Sequence, residues 1–184
     1  SEIAPFDAVV FAEILDAAGV PAGVFNLVNG DGPGVGTAIS GHPDIDMVSF
    51  TGSTPVGRQV GAAAGEALSP VTLELGGKSP MVVFDDADPA AVAAAMRWSV
   101  FFNAGQVCSA GTRLYAQRGI YDAVLAEVVK LAESMKLAPG LDPECDMGPV
   151  ISAGARDSIR GYIERGIAEG ARVVCGAHEM DGDG

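Results

Sequence analysis

The sequence predicts an α/β fold in which a parallel sheet is covered by helices. Short apolar runs are each followed by a glycine-containing turn and then a helical pattern, the order that parallel strands require. Hydrophobic residues make up 48% of the 184, enough for a sizeable core, and only 6% are aromatic, so aliphatic side chains carry most of the burial. The 25 glycines point to tight turns and close backbone approaches.

Residues 6–18 read as a helix that is apolar on most of its surface, a pattern expected of a helix covered on more than one side. Gly19 and Pro21 stop it. Residues 24–29 are a short strand candidate, followed by the turn Gly30-Asp31-Gly32-Pro33-Gly34-Val35-Gly36 and a helical piece to Ser40. Met47-Val48-Ser49-Phe50 reads as a second strand. Thr51-Gly52-Ser53-Thr54 turns out of it, and Pro55 suits the first turn of a helix running to about Ala67. Residues 71–75 form a third strand.

Residues 80–84 are another strand, with Asp88 as N-cap and Pro89 opening the next helix. Val92, Ala95, Met96 and Ser99 share one face of it. Residues 114–117 read as a strand. Residues 121–136 are the clearest amphipathic helix, with Val124, Val128, Leu131 and Met135 as its stripe. A Pro/Gly-rich loop spans 137–149, a helix 152–169 and a strand 172–175. The polar tail 181–184 reads as disordered or as part of a loop. The internal boundary falls at Gly76-Gly77.

Eleven basic against 24 acidic residues give a net charge of −13. That balance argues against non-specific nucleic-acid binding and against an anionic membrane surface. No apolar run approaches the roughly 18 residues of a membrane span. No signal peptide is visible, and without an initiator Met the chain reads as a segment of something longer. Cys108, Cys145 and Cys175 are an odd set without paired spacing, and His42 and His178 stand alone. Neither a disulfide framework nor a metal site is expected, and reduced thiols fit a cytoplasmic location.

Two glycine turns follow strands and open helices, a geometry that offers backbone N–H groups to an anion. The G-x-G-x-x-G fingerprint is absent, since Val35 stands where its third glycine belongs. Gly52 to Gly57 has the glycine spacing of a P-loop, yet Arg58 and Gln59 replace the Lys and Ser/Thr that touch phosphate and magnesium, which excludes a P-loop NTPase. Ordinary strand-to-helix turns are the alternative. Two turns at one sheet edge favour a nucleotide.

Cys108 is flanked by Gly105, Gln106, Ser109 and Gly111, a setting for a tight turn rather than a core. A thiolate in a partly exposed turn near a helix N-terminus is a nucleophile. Cys145 and Cys175 read as inert, the second inside a strand. Glu74 interrupts the apolar strand Val71-Thr72-Leu73-Glu74-Leu75. As a buried acid it would have a raised pKa and could act as a general base. A solvent-facing strand-end Glu, or one paired with Lys78, is the alternative.

At these residues the sequence resembles the NAD(P)-dependent aldehyde dehydrogenase superfamily. Leu73-Glu74-Leu75-Gly76-Gly77-Lys78-Ser79-Pro80 is similar to the family's glutamate motif, and Phe101-Phe102-Asn103-Ala104-Gly105-Gln106-Val107-Cys108 to its cysteine motif. Phe50-Thr51-Gly52-Ser53-Thr54 and Gly30-Asp31-Gly32-Pro33 resemble its coenzyme turns. The likeness runs from Glu2 to about Gly176. It implies a Rossmann-like, parallel portion of a coenzyme domain over residues 1–76 and the first part of an α/β catalytic domain over 77–184.

The resemblance implies that Cys108 attacks an aldehyde, that the thiohemiacetal gives up hydride to NAD, and that Glu74 activates the water that hydrolyses the thioester. The product would be a carboxylic acid. It places Glu2, Gly32, Pro33, Gly36, Phe50, Thr51, Gly52, Ser53, Val56, Leu75 and Gly76 by the coenzyme, and Phe102 and Val107 by the aldehyde. An acid at Glu2, on the ribose, favours NAD over NADP. The family assembles as homodimers or homotetramers. The family's Lys before the Glu2 region, its oxyanion Asn and its later ribose-binding Glu have no match here. The chain is therefore expected to be an internal segment, inactive alone. The runner-up is a truncated, catalytically dead binding or structural module, and a third reading is a Cys-dependent hydrolase.

Overall fold

The computed structural model describes residues 2–178. The chain divides into two compact units, Ser1–Leu75 and Gly76–Gly184.

The first unit is built on two parallel strands, β1 (Val48–Gly52) and β2 (Val71–Leu75), in register from Val48 opposite Val71 to Gly52 opposite Leu75. Helix α3 (Thr54–Glu66) crosses between them, with Pro55 in its first turn, where a missing N–H costs no helical hydrogen bond. Its Val60 and Ala64 are buried with Val48, and Ile45, Phe50 and Leu73 close around them. Small residues set how near the helix lies. A β-carbon on Gly57 would come within 2.5 Å of Leu75 Cδ2, and one on Gly61 within 3.5 Å of Leu73 Cδ1. Leu68 ends the helix at φ 58°, with its N–H on Gly65 O and the next on Ala64 O. Glycine usually occupies that left-handed position.

Upstream lie α1 (Phe6–Ala17), a wide turn over Gly32–Gly36, and α2 (Thr37–Ser40). The expectation of a helix covered on several sides is not met. No residue of α1 is buried, and Phe6, Val10, Phe11 and Ile14 are all exposed, Phe11 meeting the ring of Phe25 edge-on at 5.6 Å. Nor do residues 24–29 form a strand. Their backbone closes local turns, such as Val24 N–H to Pro21 O, and no described strand pairs with them.

The second unit repeats the parallel pairing with β3 (Pro80–Val83) and β4 (Arg113–Ala116), in register from Pro80 opposite Arg113. Among the described residues the strands thus make two separate pairs rather than one sheet. Asp88 caps α4 (Pro89–Met96) by accepting the Ala90 N–H at 3.1 Å. The buried face of α4 is Val92, Ala93 and Met96, so Ala93 replaces the expected Ala95, which is exposed. Val92 packs with Val83, Ile120 and Val124 of α5 (Tyr121–Ser134). Helix α5 stops two residues early because Met135 is already extended. A long loop then leads to Ser152, whose hydroxyl accepts the Ala155 N–H and caps α6 (Ala153–Ala168). Residues 172–175 are not a strand, since no described strand lies beside them. The tail at 181–184 lies outside the described residues.

Leu68 is 90% exposed, so its side chain contributes no packing, while its left-handed backbone is strained. Leu68→Gly is expected to stabilise the chain by about 0.5–1 kcal/mol, relief of strain outweighing the added freedom of the unfolded chain. The midpoint of urea denaturation measures this, and an unchanged or lower midpoint would count against strain at Leu68.

Candidate active site

The parallel register places the first group of site residues. Thr51 pairs with Glu74 and Gly52 with Leu75, so Ser53 and Gly76 both leave the carboxyl end of one ladder. Ligands in open α/β sheets bind at that end. Ser53 is the N-cap residue of α3, yet its side chain makes no capping hydrogen bond. Its hydroxyl and the early N–H groups of the helix are thereby left to face an anion. Phe50 folds over Gly52, where a β-carbon would lie 2.5 Å from its ring. Val56 is exposed in the first turn of α3.

The second glycine turn, Gly32–Gly36, is closed by Asp31, which accepts the Gly34 N–H at 2.8 Å. Glu2 Oε1 accepts the Gly32 N–H at 2.5 Å, thirty residues along the chain. Glu2, Gly32, Pro33 and Gly36 therefore meet in one place. The second carboxylate oxygen of Glu2 is left as an acceptor suited to ribose hydroxyls. These groups fit a dinucleotide: an acceptor, an anion-facing helix start and backbone free of side chains.

Glu74 is exposed, which corrects the reading of it as a buried acid. Side chains alternate along a strand. Leu73 and Leu75 point to α3, so Thr72 and Glu74 take the opposite, exposed face with Ser49 and Thr51 of β1. Apolar neighbours in sequence gave the appearance of burial, but they belong to the other face.

Cys108 lies in the second unit, on a segment of unusual backbone. After α4 the chain makes a wide turn over Arg97–Phe101. Asn103, Ala104 and Gly105 then all adopt positive φ, at 51°, 54° and 73°. Only glycine enters that region freely. The turn is closed by reciprocal bonds: Asn103 O accepts both the backbone N–H and the side-chain Nε2 of Gln106, and Asn103 Nδ2 donates to Gln106 O. Cys108 follows, exposed, in a turn closed by Ala110 N–H to Val107 O. Its own N–H has no acceptor among the described residues. The chain continues from Cys108 into β4 rather than into a helix. Phe102 is exposed and its ring lies 6.1 Å from that of Trp98, while Val107 is half-buried beside the cysteine. Gly111 leaves room for the Ser99 hydroxyl, which with Ser99 O accepts the Gly111 N–H.

The loop before α6 is tied to this segment twice. Arg97 forms an ion pair with Asp146, which also accepts the Lys136 N–H at 2.9 Å. Gln106 Oε1 accepts the Ile151 N–H at 2.8 Å. Neither tie was legible from the sequence, where its partners stand 49 and 45 residues apart. Lys136 also holds Glu144 and Asp142, which raise its pKa. Cys145 donates its thiol to Ala138 O, and Cys175 is half-buried outside any strand. Among the described residues no cluster of three or more His, Cys, Asp or Glu could hold a metal.

The fold and site thus define an α/β protein with an anion-facing helix start and an exposed, strained cysteine turn. A profile of the Aldehyde dehydrogenase family matches residues 1–184, and the chain belongs to that family. It is 49% identical over 177 residues to a betaine aldehyde dehydrogenase of Cereibacter sphaeroides, covering 96% of this chain and 36% of that protein. A crystal structure of betaine aldehyde dehydrogenase from Staphylococcus aureus in complex with NAD+ superimposes with a TM-score of 0.93 at 38% identity, covering all of this chain and 36% of that one. An NAD-dependent aldehyde dehydrogenase from Sinorhizobium meliloti gives 0.95 at 36% identity, over 99% of this chain and 36% of that one. The chain spans little more than a third of the length of the relatives it matches.

The hydrogen bond from Lys136 N–H, with Arg97 beside it, holds the Asp146 carboxyl below its ordinary pKa of 3.8. A depressed pKa contributes stability that is fully present above 3.8 and is lost as pH falls through the lower folded value. Asp146→Asn should therefore be less stable than wild type at neutral pH, with the gap closing as the solution is acidified below 3.8. Denaturation midpoints from pH 7 to pH 2.5 measure this. A gap that widened in acid would reverse the assigned direction.

Proposed function

We propose that the protein to which this chain contributes oxidises an aldehyde to a carboxylic acid with NAD+, using Cys108 as nucleophile and Glu74 as general base. The observation that carries this is the cysteine turn: an exposed thiol whose own N–H has no acceptor among the described residues, preceded by three successive left-handed residues. Strain of that kind collects at functional sites, where surrounding bonds maintain it. In this reading residues 1–76 are the second half of a dinucleotide-binding domain and 77–184 the first part of a catalytic domain.

The Cys108 thiolate adds to the aldehyde carbon and makes a thiohemiacetal. The Cys108 N–H faces the oxygen on which negative charge develops, the geometry of half an oxyanion hole. NAD+, when bound, would supply the acceptor for the hydride, and loss of that hydride would leave the carbon as a thioester on Cys108. Glu74 takes a proton from water, whose oxygen attacks the thioester, and the acid leaves with Cys108 restored. Glu2 and the Gly32, Pro33 and Gly36 turn would hold the adenosine end, with NADP disfavoured by like charge. Phe50, Thr51, Gly52, Ser53 and Val56 would hold the pyrophosphate region, and Leu75 and Gly76 the nicotinamide end. Phe102 and Val107 would wall the aldehyde.

The S. aureus relative binds NAD+ and the C. sphaeroides relatives are betaine aldehyde dehydrogenases, so betaine aldehyde heads the substrate panel. No helix among the described residues is long and apolar enough to cross a membrane. A cytoplasmic location, with which three free cysteines are compatible, is part of the proposal. Assembly as a homodimer or homotetramer belongs to the same proposal.

In the full-length protein, Cys108→Ser is expected to lower NADH production by on the order of a thousandfold or more. Glu74→Gln should retain a first-turnover burst of NADH while steady turnover falls by about 10²–10⁴. Undiminished turnover in the Cys108 variant would remove the nucleophile. A lost burst in a folded Glu74 variant would remove the deacylation role. The 184 residues alone, spanning 36% of their relatives, are expected to be inactive toward an aldehyde panel with NAD+. Cys108-dependent NADH production by that chain would contradict this.

A further inference from the structure

We propose that Gln106 is a positioning residue for Cys108, its side-chain amide fixing the left-handed turn against the backbone entering α6. The proposal rests on the reading of Cys108 as nucleophile. Gln106 stands two residues before the thiol. Its Nε2 donates to Asn103 O at 3.0 Å, inside the turn, and its Oε1 accepts the Ile151 N–H at 2.8 Å, outside it. An amide alone supplies a donor and an acceptor at once. A carboxylate would lose the first bond and an ammonium the second.

The turn needs holding. Ala104 occupies a left-handed conformation that its β-carbon disfavours, next to Asn103 and Gly105 in the same region. The bonds between Asn103 and Gln106 close the turn on itself but anchor it to nothing. The bond to Ile151 is the anchor, because Ile151 directly precedes Ser152, the N-cap of a sixteen-residue helix. Released from Ile151, the turn relaxes toward ordinary backbone angles and the thiol swings from its exposed position. The buried Ala110 beyond it stays in place because its neighbour Gly111 donates its N–H to Ser99 O, so the movement falls on the residues between Gln106 and Ala110.

The test uses the full-length protein and iodoacetamide, with alkylation of Cys108, Cys145 and Cys175 read by peptide mass spectrometry and the Ile151 amide followed by hydrogen exchange. Neither readout needs aldehyde or NAD, so it is independent of whether aldehyde oxidation is the right reading. Gln106→Met is expected to speed Ile151 exchange and to slow Cys108 alkylation by roughly 3–10-fold, the worth of one hydrogen bond. Cys145 and Cys175 should react as in wild type. Gln106→Asn keeps an amide but is one methylene too short for Ile151, and should behave the same way. Faster Ile151 exchange with Cys108 alkylation unchanged or accelerated would overturn the proposal. If both variants altered all three cysteines together, Gln106 would be a folding residue and the positioning role would also fall.

Discussion

The parallel register of β1 and β2 is the constraint on which the first unit depends. Parallel strands must be joined by a crossover, and here α3 makes it within a few ångströms of the sheet because Gly57 and Gly61 carry no side chains. That closeness fixes the helix start at the carboxyl end of β1. Pairing Gly52 with Leu75 then brings the exit of β2 to the same edge. Thr51, Gly52, Ser53, Glu74 and Leu75 are gathered by backbone hydrogen bonds alone, before any side chain contributes. Glu2 adds a polar tie at the other glycine turn, where its carboxylate and the Gly32 N–H share a charge-assisted bond.

The second unit meets a different requirement. Its core of Val83, Val92, Ile120 and Val124 holds β3, α4 and α5 together, and the cysteine segment follows Met96, the buried last residue of α4. From there the chain departs from regular structure until β4, and hydrogen bonds replace apolar packing as its support. Arg97 to Asp146 fixes one end, Gly111 to Ser99 the other, and Gln106 the middle. A segment held this way keeps its thiol in water while its backbone remains defined. Apolar packing would have buried the sulfur.

Elements with strong local signals were legible in the sequence. Asp88 before Pro89 announced a capped helix, and Val124 with Val128 announced the face of α5. Residues 24–29 and 172–175 have strand composition too, yet a strand is defined by its partner, and composition carries no record of one. Glu74 was misread for a related reason. A window of apolar neighbours does not say which face of a strand they occupy, and only the placement of α3 against Leu73 and Leu75 decides it. Ala104 at φ 54° had no signal at all, because alanine is chosen there against its own preference. The glycine turns were legible as turns, while the bond from Glu2 to Gly32 required the fold.

Exposure links the site to the rest of the surface. Phe6, Val10, Phe11 and Ile14 on α1, and Ile159, Tyr162, Ile163 and Ile167 on α6, are large apolar groups in contact with water. Contiguous apolar faces of this kind are uncommon on monomeric proteins and mark surfaces that become covered. Glu74 and Phe102 are exposed in the same sense. Among the described residues Glu74, Phe102 and the Cys108 thiol are all left in water.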